Sequence, residues 1–352
     1  MRSFGKCKQK MRAAIFNPYL DTLGGGERYS LAVCKALVEA GYSVDVFWKD
    51  ESIRKKLESR FGMKLGGIEF VADIKRGDGY DVCFWVSDGS IPLLRARKNF
   101  LHFQFPFKNV SGNTLINKMK LFRINKIICN SNFTKDFIDK EYGVKSVVLY
   151  PPVDVSKFKS AGKKEKIILS VARFSQLTQS KRQDVLVDVF KRFYDLGNKD
   201  WRLVLAGGVE VGVGEYVEKL KKASRGYPIS ILEGPDFKKL VGLYTESAFF
   251  WTASGFGISE QDEPIKVEHF GITVVEAMAA GAVPFVYDAG GHREIIKDSE
   301  NGFLWSTKTD LLNLSLKLVK NKQKEKEISS QAKKDAKKYS YDRFKNEFLS
   351  FL

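Results

Sequence analysis

Short apolar runs rich in β-branched and aromatic residues alternate with segments of helical periodicity along the whole 352-residue chain. The first half carries RAAIFN, YSVDVFW, VCFWVS, NFLHFQ, KIICN and SVVLY; the second carries IILSVA, RLVLAG, PISILE, FFWTAS and AVPFVY. Such runs, spaced by helices, are the signature of parallel sheets built from βαβ units. Between the two series lies YPPVDVSKFKSAGKKEK, a polar stretch rich in Pro, Gly and Lys that reads as a linker. The pattern predicts an α/β protein with two doubly wound parallel-sheet domains: residues 1–150, a linker over 151–166, residues 167–338, and a terminal helix over 339–352 available to pack back on the first domain. Ligands of such sheets sit outside the carboxyl ends of the strands, here in a central cleft between the domains.

Composition narrows the class. Hydrophobic residues make up 43% of the chain, with no uninterrupted apolar stretch of the length a membrane span requires. The opening MRSFGKCKQKMRAAIF is basic but lacks the apolar core and cleavage site of a secretory signal. The four cysteines, Cys7, Cys34, Cys83 and Cys129, have no metal-ligand spacing, and three of them fall in apolar patterns as small core residues. A cytoplasmic protein, at most peripheral on the inner face of the membrane, is the expectation. The net charge of +17 is uneven: residues 1–150 hold 26 Lys and Arg against 15 Asp and Glu. The first domain therefore favours an acidic partner, whether phosphates or an anionic membrane surface, although a solvated basic surface accounts for the same excess.

Three places carry candidate chemistry. Gly24, Gly25 and Gly26, in DTLGGGERYSLAVCKAL, lie between the first strand and a helix, where backbone can approach an anion at the helix N-terminus; a plain connecting turn has the same spelling. In SVARFSQLTQSKRQD, Arg173 stands just past a strand and Lys181 at the start of the next helix, so both overhang the cleft. No Asp-x-Asp occurs, so a bound diphosphate would meet side chains and helix dipoles instead of a carboxylate-held metal. Finally, EHFGITVVEAMAAGAVPFV sets one carboxylate, Glu276, among apolar residues, where an unpartnered charge is too costly to persist. Either Thr273 and Glu276 form a capping box, with Gly281 closing the helix, or Glu276 accepts two hydroxyls of a ligand.

Glu268 and Glu276, separated by seven residues around an inner Phe-Gly, complete a pattern with GGGERYSLAVCKAL, ICNSNFTKDF, LYPPVD, GGHREII and NGFLW in that order. The chain resembles the retaining glycosyltransferases of family 4, with the GT-B fold of two Rossmann-like domains, and especially the dolichol-pathway mannosyltransferases and their bacterial relatives. The resemblance implies that Glu276 binds the nucleotide ribose, that Glu268 holds donor-sugar hydroxyls, and that the amides of Gly271, Ile272 and Thr273 meet diphosphate or sugar. Arg173 and Lys181 would neutralise the diphosphate leaving group, Gly25 and Gly26 would bring N-terminal backbone to it, and His102 matches the family's sugar-contacting histidine. The stretch between Arg173 and Lys181 is longer than the common family spelling, which leaves Lys181 and Arg182 both open as the inward cation. His269, His292 and Glu294 read as ordinary loop or helix-start residues.

The function so implied is metal-independent transfer of a hexose, mannose favoured, from a GDP- or UDP-linked sugar to a hydroxyl of a lipid-linked or polysaccharide acceptor, with no cofactor. In NTLINKMKLFRINK, Lys118, Lys120, Arg123 and Lys126 alternate with Leu115, Ile116, Met119 and Phe122, as on a helix lying on anionic lipid or with a simple solvated basic face. Two other classes compete. A nucleic-acid-binding protein fits the charge but lacks a recognition motif, and a nucleotide-dependent oxidoreductase lacks the G-x-G-x-x-G fingerprint.

Overall fold

A computed structural model describes residues 10–158, 162, 164–175, 179–210 and 212–352; Cys7 lies outside them. The first sheet has seven strands, β1 (Arg12–Phe16), β2 (Ser43–Phe47), β3 (Ile68–Val71), β4 (Val82–Val86), β5 (Lys98–Phe103), β6 (Lys126–Cys129) and β7 (Val147–Val148). They lie in the order β3-β2-β1-β4-β5-β6-β7, every pair parallel. Helices α1 (Gly25–Glu39), α2 (Ile53–Phe61), α3 (Leu115–Leu121) and α4 (Asn132–Tyr142) connect them. The second sheet has six, β8 (Glu165–Val171), β9 (Arg202–Gly207), β10 (Ile229–Glu233), β11 (Ser247–Thr252), β12 (Val283–Tyr287) and β13 (Phe303–Trp305), in the order β10-β9-β8-β11-β12-β13 and again all parallel. Its helices are α5 (Gln183–Asp195), α6 (Gly214–Ser224), α7 (Phe237–Glu246), α8 (Ile272–Ala280), α9 (His292–Ile295), α10 (Lys308–Val319) and α11 (Lys322–Ala336), before the terminal α12 (Tyr341–Leu349).

In both sheets the strand order reverses beside the first strand, between β1 and β4 and between β8 and β11. At such a switch point the loops leaving the two strands diverge to opposite faces and open a crevice. The loop after β1 carries the three glycines and the loop after β8 carries Arg173 and Lys181, so the topology itself sets these groups at the crevices.

Cores form on both faces of each sheet, because parallel strands are covered on both sides. Helix α1 buries Leu31, Val33, Cys34 and Leu37 against β1 and β4 residues such as Ile15 and Phe84. Helix α5 buries Val185, Leu186, Val189, Phe190 and Phe193 against Trp251 and Phe249. Cys34, Cys83 and Cys129 are buried free thiols, each pushed up to about 12 by burial, so they are inert packing groups. The chain crosses between sheets at residues 150–155 and again at 337–341, and the crossings are tied by a Val153 amide to Tyr339 carbonyl bond of 2.8 Å. Helix α12 then inserts Phe344 and Phe348 into the core of the first sheet, edge-on to Tyr29 and Phe84 respectively.

Candidate functional site

The two domains enclose a cleft of about 590 Å³, lined by the loops after β1 and β8, the end of β5 and the start of α8. On the N-terminal side, Gly24 caps α1 in an extended conformation and Glu27 turns back on it, accepting from the Gly24 amide at 2.6 Å and from the Thr22 hydroxyl at 2.8 Å. Burial pushes the Glu27 carboxyl up in spite of these donors. The amides of Gly25 and Gly26 have no hydrogen-bond partner among the described residues. Glycine is needed twice here for close approach. A Cβ at Gly25 would stand 3.1 Å from Ile272 Cδ1 of the other domain, and one at Gly26 would overlap the Gln104 carboxamide.

His102, the fifth residue of β5, lines the same wall and is fully buried. Its ring stacks on Tyr29 with centroids 4.1 Å apart, and Nδ1 lies 3.1 Å from the Ile128 carbonyl. Burial drives the imidazole down to about 3, so it is neutral near pH 7. Because a carbonyl only accepts, Nδ1 carries the proton and Nε2 keeps its lone pair, unpartnered among the described residues. On the cleft wall His102 is thus a neutral group with a free acceptor nitrogen among the described residues, not a cation.

On the C-terminal side, Arg173 lies two residues beyond β8, its carbonyl held by Gln183 Nε2 at 2.9 Å. Its guanidinium lines the cleft and makes no hydrogen bond or ion pair among the described residues. Lys181 points inward to Glu268 at 2.8 Å, whereas Arg182 turns outward to Asp184 at 3.0 Å and the Phe256 carbonyl at 3.0 Å. Of the two cations left open by the sequence, Lys181 faces the cleft. Burial raises the Glu268 carboxyl, but the field and hydrogen bond of Lys181 outweigh it, and the group sits at about 2. Glu268 is therefore a permanent anion. His269 and His292 are buried beside it and both lowered by desolvation, with His269 taken to about 4; their rings are held by the Ile265 and Tyr287 carbonyls. Glu294, in the first turn of α9, reaches across the domains and accepts from the Asn132 and Phe133 amides at 2.8 Å each, capping α4.

The start of α8 corrects one expectation. Thr273 is not an N-cap: Gly271 holds that position at φ 113°, the helix begins at Ile272, and Glu276 falls at the fifth helical residue, too far along to reach back to the cap amide. Glycine makes the earlier start possible, since a left-handed cap is open to it and a Cβ there would stand 3.3 Å from His292 and Ile295. Gly281 does close the helix, at φ 79°. The Ile272 and Thr273 amides consequently have no partner among the described residues. Glu276 has one: its Oε1 accepts from Arg28 Nη1 of α1, in an ion pair spanning the domains.

The site thus gathers the residues the sequence singled out and adds Arg28, Arg60, Gln104 and Tyr244. Arg60, at the end of α2, lines the cleft with one long bond, 3.4 Å, to the Pro235 carbonyl, and desolvation lowers its guanidinium. Two helix N-termini with open amides, α1 and α8, face each other with Arg173 and Lys181 beside them. Each terminus carries roughly half a positive charge, so together they suit a dianionic diphosphate. Among the described residues no group of three or more His, Cys, Asp or Glu could hold a metal ion.

Residues 154–335 match the family model "Glycosyl transferases group 1" and residues 23–157 match "Glycosyltransferase Family 4". The chain is 27% identical over 233 residues to a GDP-Man:Man(3)GlcNAc(2)-PP-Dol alpha-1,2-mannosyltransferase of Dictyostelium discoideum, a match covering 63% of this chain and 45% of that protein. It is 25% identical to an alpha-1,3/1,6-mannosyltransferase of the same organism, covering 69% and 68%. This chain thus spans under half the length of the first relative. Among solved structures, HepE of Anabaena in complex with UDP superimposes with a TM-score of 0.77 at 18% identity, covering 98% of this chain and 100% of that one. A sucrose-phosphate synthase of Thermosynechococcus elongatus does so with 0.71 at 14%, covering 97% and 98%. These likenesses establish the fold as GT-B. Because one model spans more than half the sequence and the second adjoins it, the chain belongs to the group 1 and family 4 glycosyltransferases, and is a glycosyltransferase.

Proposed function

We propose that this glycosyltransferase moves a hexose, mannose in preference, from a GDP- or UDP-linked donor to a hydroxyl of a lipid-linked or polysaccharide acceptor, with retention and without a metal. The observation that carries the donor reading is the meeting, in one interdomain cleft, of the Gly25, Gly26, Ile272 and Thr273 amides with the Arg173 guanidinium, none of which has a hydrogen-bond partner among the described residues. As the glycosidic bond breaks, negative charge grows on the departing diphosphate, and these fixed dipoles and cations gain strength in step with it. Glu276 would accept the ribose hydroxyls, while Glu268 and His102 Nε2 would accept hydroxyls of the transferred sugar. Mannose is favoured by the names of the curated relatives. Turnover of UDP, GDP and ADP sugars, followed by product mass, tests the reading. One of the first two is expected to be consumed, and to remain so with excess chelator; activity that vanishes and returns only with magnesium or manganese overturns the cation-clamp account.

The acceptor side of the proposal rests on α3. None of its residues is buried, and Leu115, Ile116, Met119 and Phe122 are exposed to 75, 66, 64 and 89%. Lys118, Lys120 and Arg123 flank this apolar face, a combination whose charge complements anionic lipid headgroups. Among the described residues no helix is long and apolar enough to cross a membrane. A peripheral site on the cytoplasmic face would bring a lipid-linked acceptor to the basic N-terminal domain. Changing Lys118, Lys120 and Arg123 to Glu is expected to abolish sedimentation with vesicles containing phosphatidylserine while donor hydrolysis continues. Equal sedimentation by the variant makes α3 a solvated basic face.

A further inference from the structure

Arg28 has no part in the chemistry assigned above, yet it forms an ion pair between the two walls of the cleft. It stands on the first turn of α1, next to the glycines, and its guanidinium reaches Glu276 on α8. The two side chains are only 14% and 8% exposed. A carboxylate so withdrawn from water needs a partner of opposite charge, and a partner fixed on the facing helix also orients it. Arg60 and Tyr244 also face Glu276: Arg60 is bonded to the Pro235 carbonyl, and Tyr244 is a buried phenol pushed far up by desolvation and, next, by the charge and nearness of Glu276 itself, although its hydroxyl makes no well-formed hydrogen bond among the described residues. Arg28 is the cation ion-paired with the carboxylate.

Two observations distinguish a support from a blockade. The ion pair uses Oε1 alone, and with the Tyr244 hydroxyl near the carboxylate but in no well-formed hydrogen bond among the described residues, a group with room for several donors still has acceptor capacity for a ligand. Arg28 also has nowhere better to go. Behind it lies a second cavity of about 320 Å³ whose lining includes Lys35, Lys64 and Lys157 against the single acid Asp154, which itself lies 3.7 Å from Lys157. A guanidinium pushed there would meet like charges.

We infer that Arg28 is a positioning residue for the donor: reaching from the N-terminal domain, it fixes the place and orientation of the Glu276 carboxylate, so that the ribose site is complete only while α1 lies against α8. The inference rests on the reading of Glu276 as ribose ligand and goes beyond it by making one domain's ligand depend on the other domain.

Calorimetric titration with a nucleoside and its diphosphate, uridine with UDP and guanosine with GDP, tests it in a double-mutant cycle. Arg28→Met, which keeps the length of the stem, is expected to weaken nucleoside and diphosphate alike by about tenfold, the equivalent of ~1.4 kcal/mol. Made in the Glu276→Gln background it should have almost no further effect, because it acts only through that carboxylate. Arg28→Lys, which keeps the charge but loses the planar fork, should lose about threefold and serves the same cycle if the Met variant does not fold. Three results overturn the inference: unchanged or tighter binding, a loss confined to the diphosphates, which would make Arg28 a direct phosphate contact, or additive losses in the cycle. Unchanged nucleoside affinity in Glu276→Gln alone would instead refute the ribose reading, independently of Arg28.

Discussion

Arg173→Ala is expected to lower turnover by about thirtyfold to a thousandfold, or ~2–4 kcal/mol of transition-state stabilisation, with little change in melting temperature. The asymmetry follows from the site. The Arg173 guanidinium has no hydrogen bond or ion pair among the described residues, so its removal strips no partner from the folded protein. Its work begins only when a diphosphate lies beside it, and grows as the sugar–phosphate bond breaks and charge accumulates on the leaving oxygens. The loss should therefore fall on kcat more than on KM. Lys181 differs in being engaged already, with Glu268 at 2.8 Å, so its removal would also leave a buried carboxylate without its counter-charge. Single-turnover rates and thermal unfolding of Arg173→Ala are the measurements. Wild-type turnover removes this residue from the site.

Glu276→Gln carries the second large effect: donor nucleotide affinity is expected to fall by about 1–3 kcal/mol, the range for hydrogen bonds to a charged group. The amide keeps one acceptor but presents a donor where a second acceptor is required. Had Glu276 been the third residue of a capping box, glutamine would have served as well and binding would be untouched. The helix start at Ile272 removes that explanation. Titration of the variant with UDP and GDP, beside its unfolding curve, decides the matter; unaltered affinity leaves the ion pair to Arg28 as the whole reason for this carboxylate.

The strands were legible where apolar runs were long. All eleven runs picked out in the sequence lie on strands of the two sheets, and the two strands not picked out, Ile68–Val71 and Phe303–Trp305, are edge strands of four and three residues with a partner on one side only. Neither is long enough for periodicity to separate it from a loop. On the C-terminal side Arg173 and Lys181 were legible from their places at a strand end and a helix start, and Glu268 and the start of α8 through the family resemblance; all of them line the cleft. Of the N-terminal contributions, Gly25, Gly26 and His102 were picked out and do line the cleft, but Arg28, Arg60 and Gln104 were not. Arg28 lies inside the quoted glycine stretch, but its role depends on a residue 248 positions away. Arg60 sits in the charged run IRKKLESRF, which reads as a solvated helix face until α7 is seen packed beside it. Gln104 stands just past the end of β5, two residues after His102, and its packing shows only through Gly26 beneath it. The capping-box spelling misled because a left-handed glycine, invisible to propensity, starts the helix earlier.

The insertion of α12 into the first domain has a consequence for the order in which the chain can fold. Translation delivers the last strand of the first sheet at Val148, yet Phe344 and Phe348, which cover Tyr29, Phe84 and Phe100, emerge close to the end of the chain. At ribosomal rates that interval is roughly 10 to 40 seconds. Throughout it the nascent first domain holds an uncovered aromatic surface while the whole second domain is made beside it. Vectorial synthesis thus favours the second domain as the first unit to finish. The earlier-made domain reaches its final core only when α12 docks, which puts the contacts of Phe344 and Phe348 among the last of that core to form.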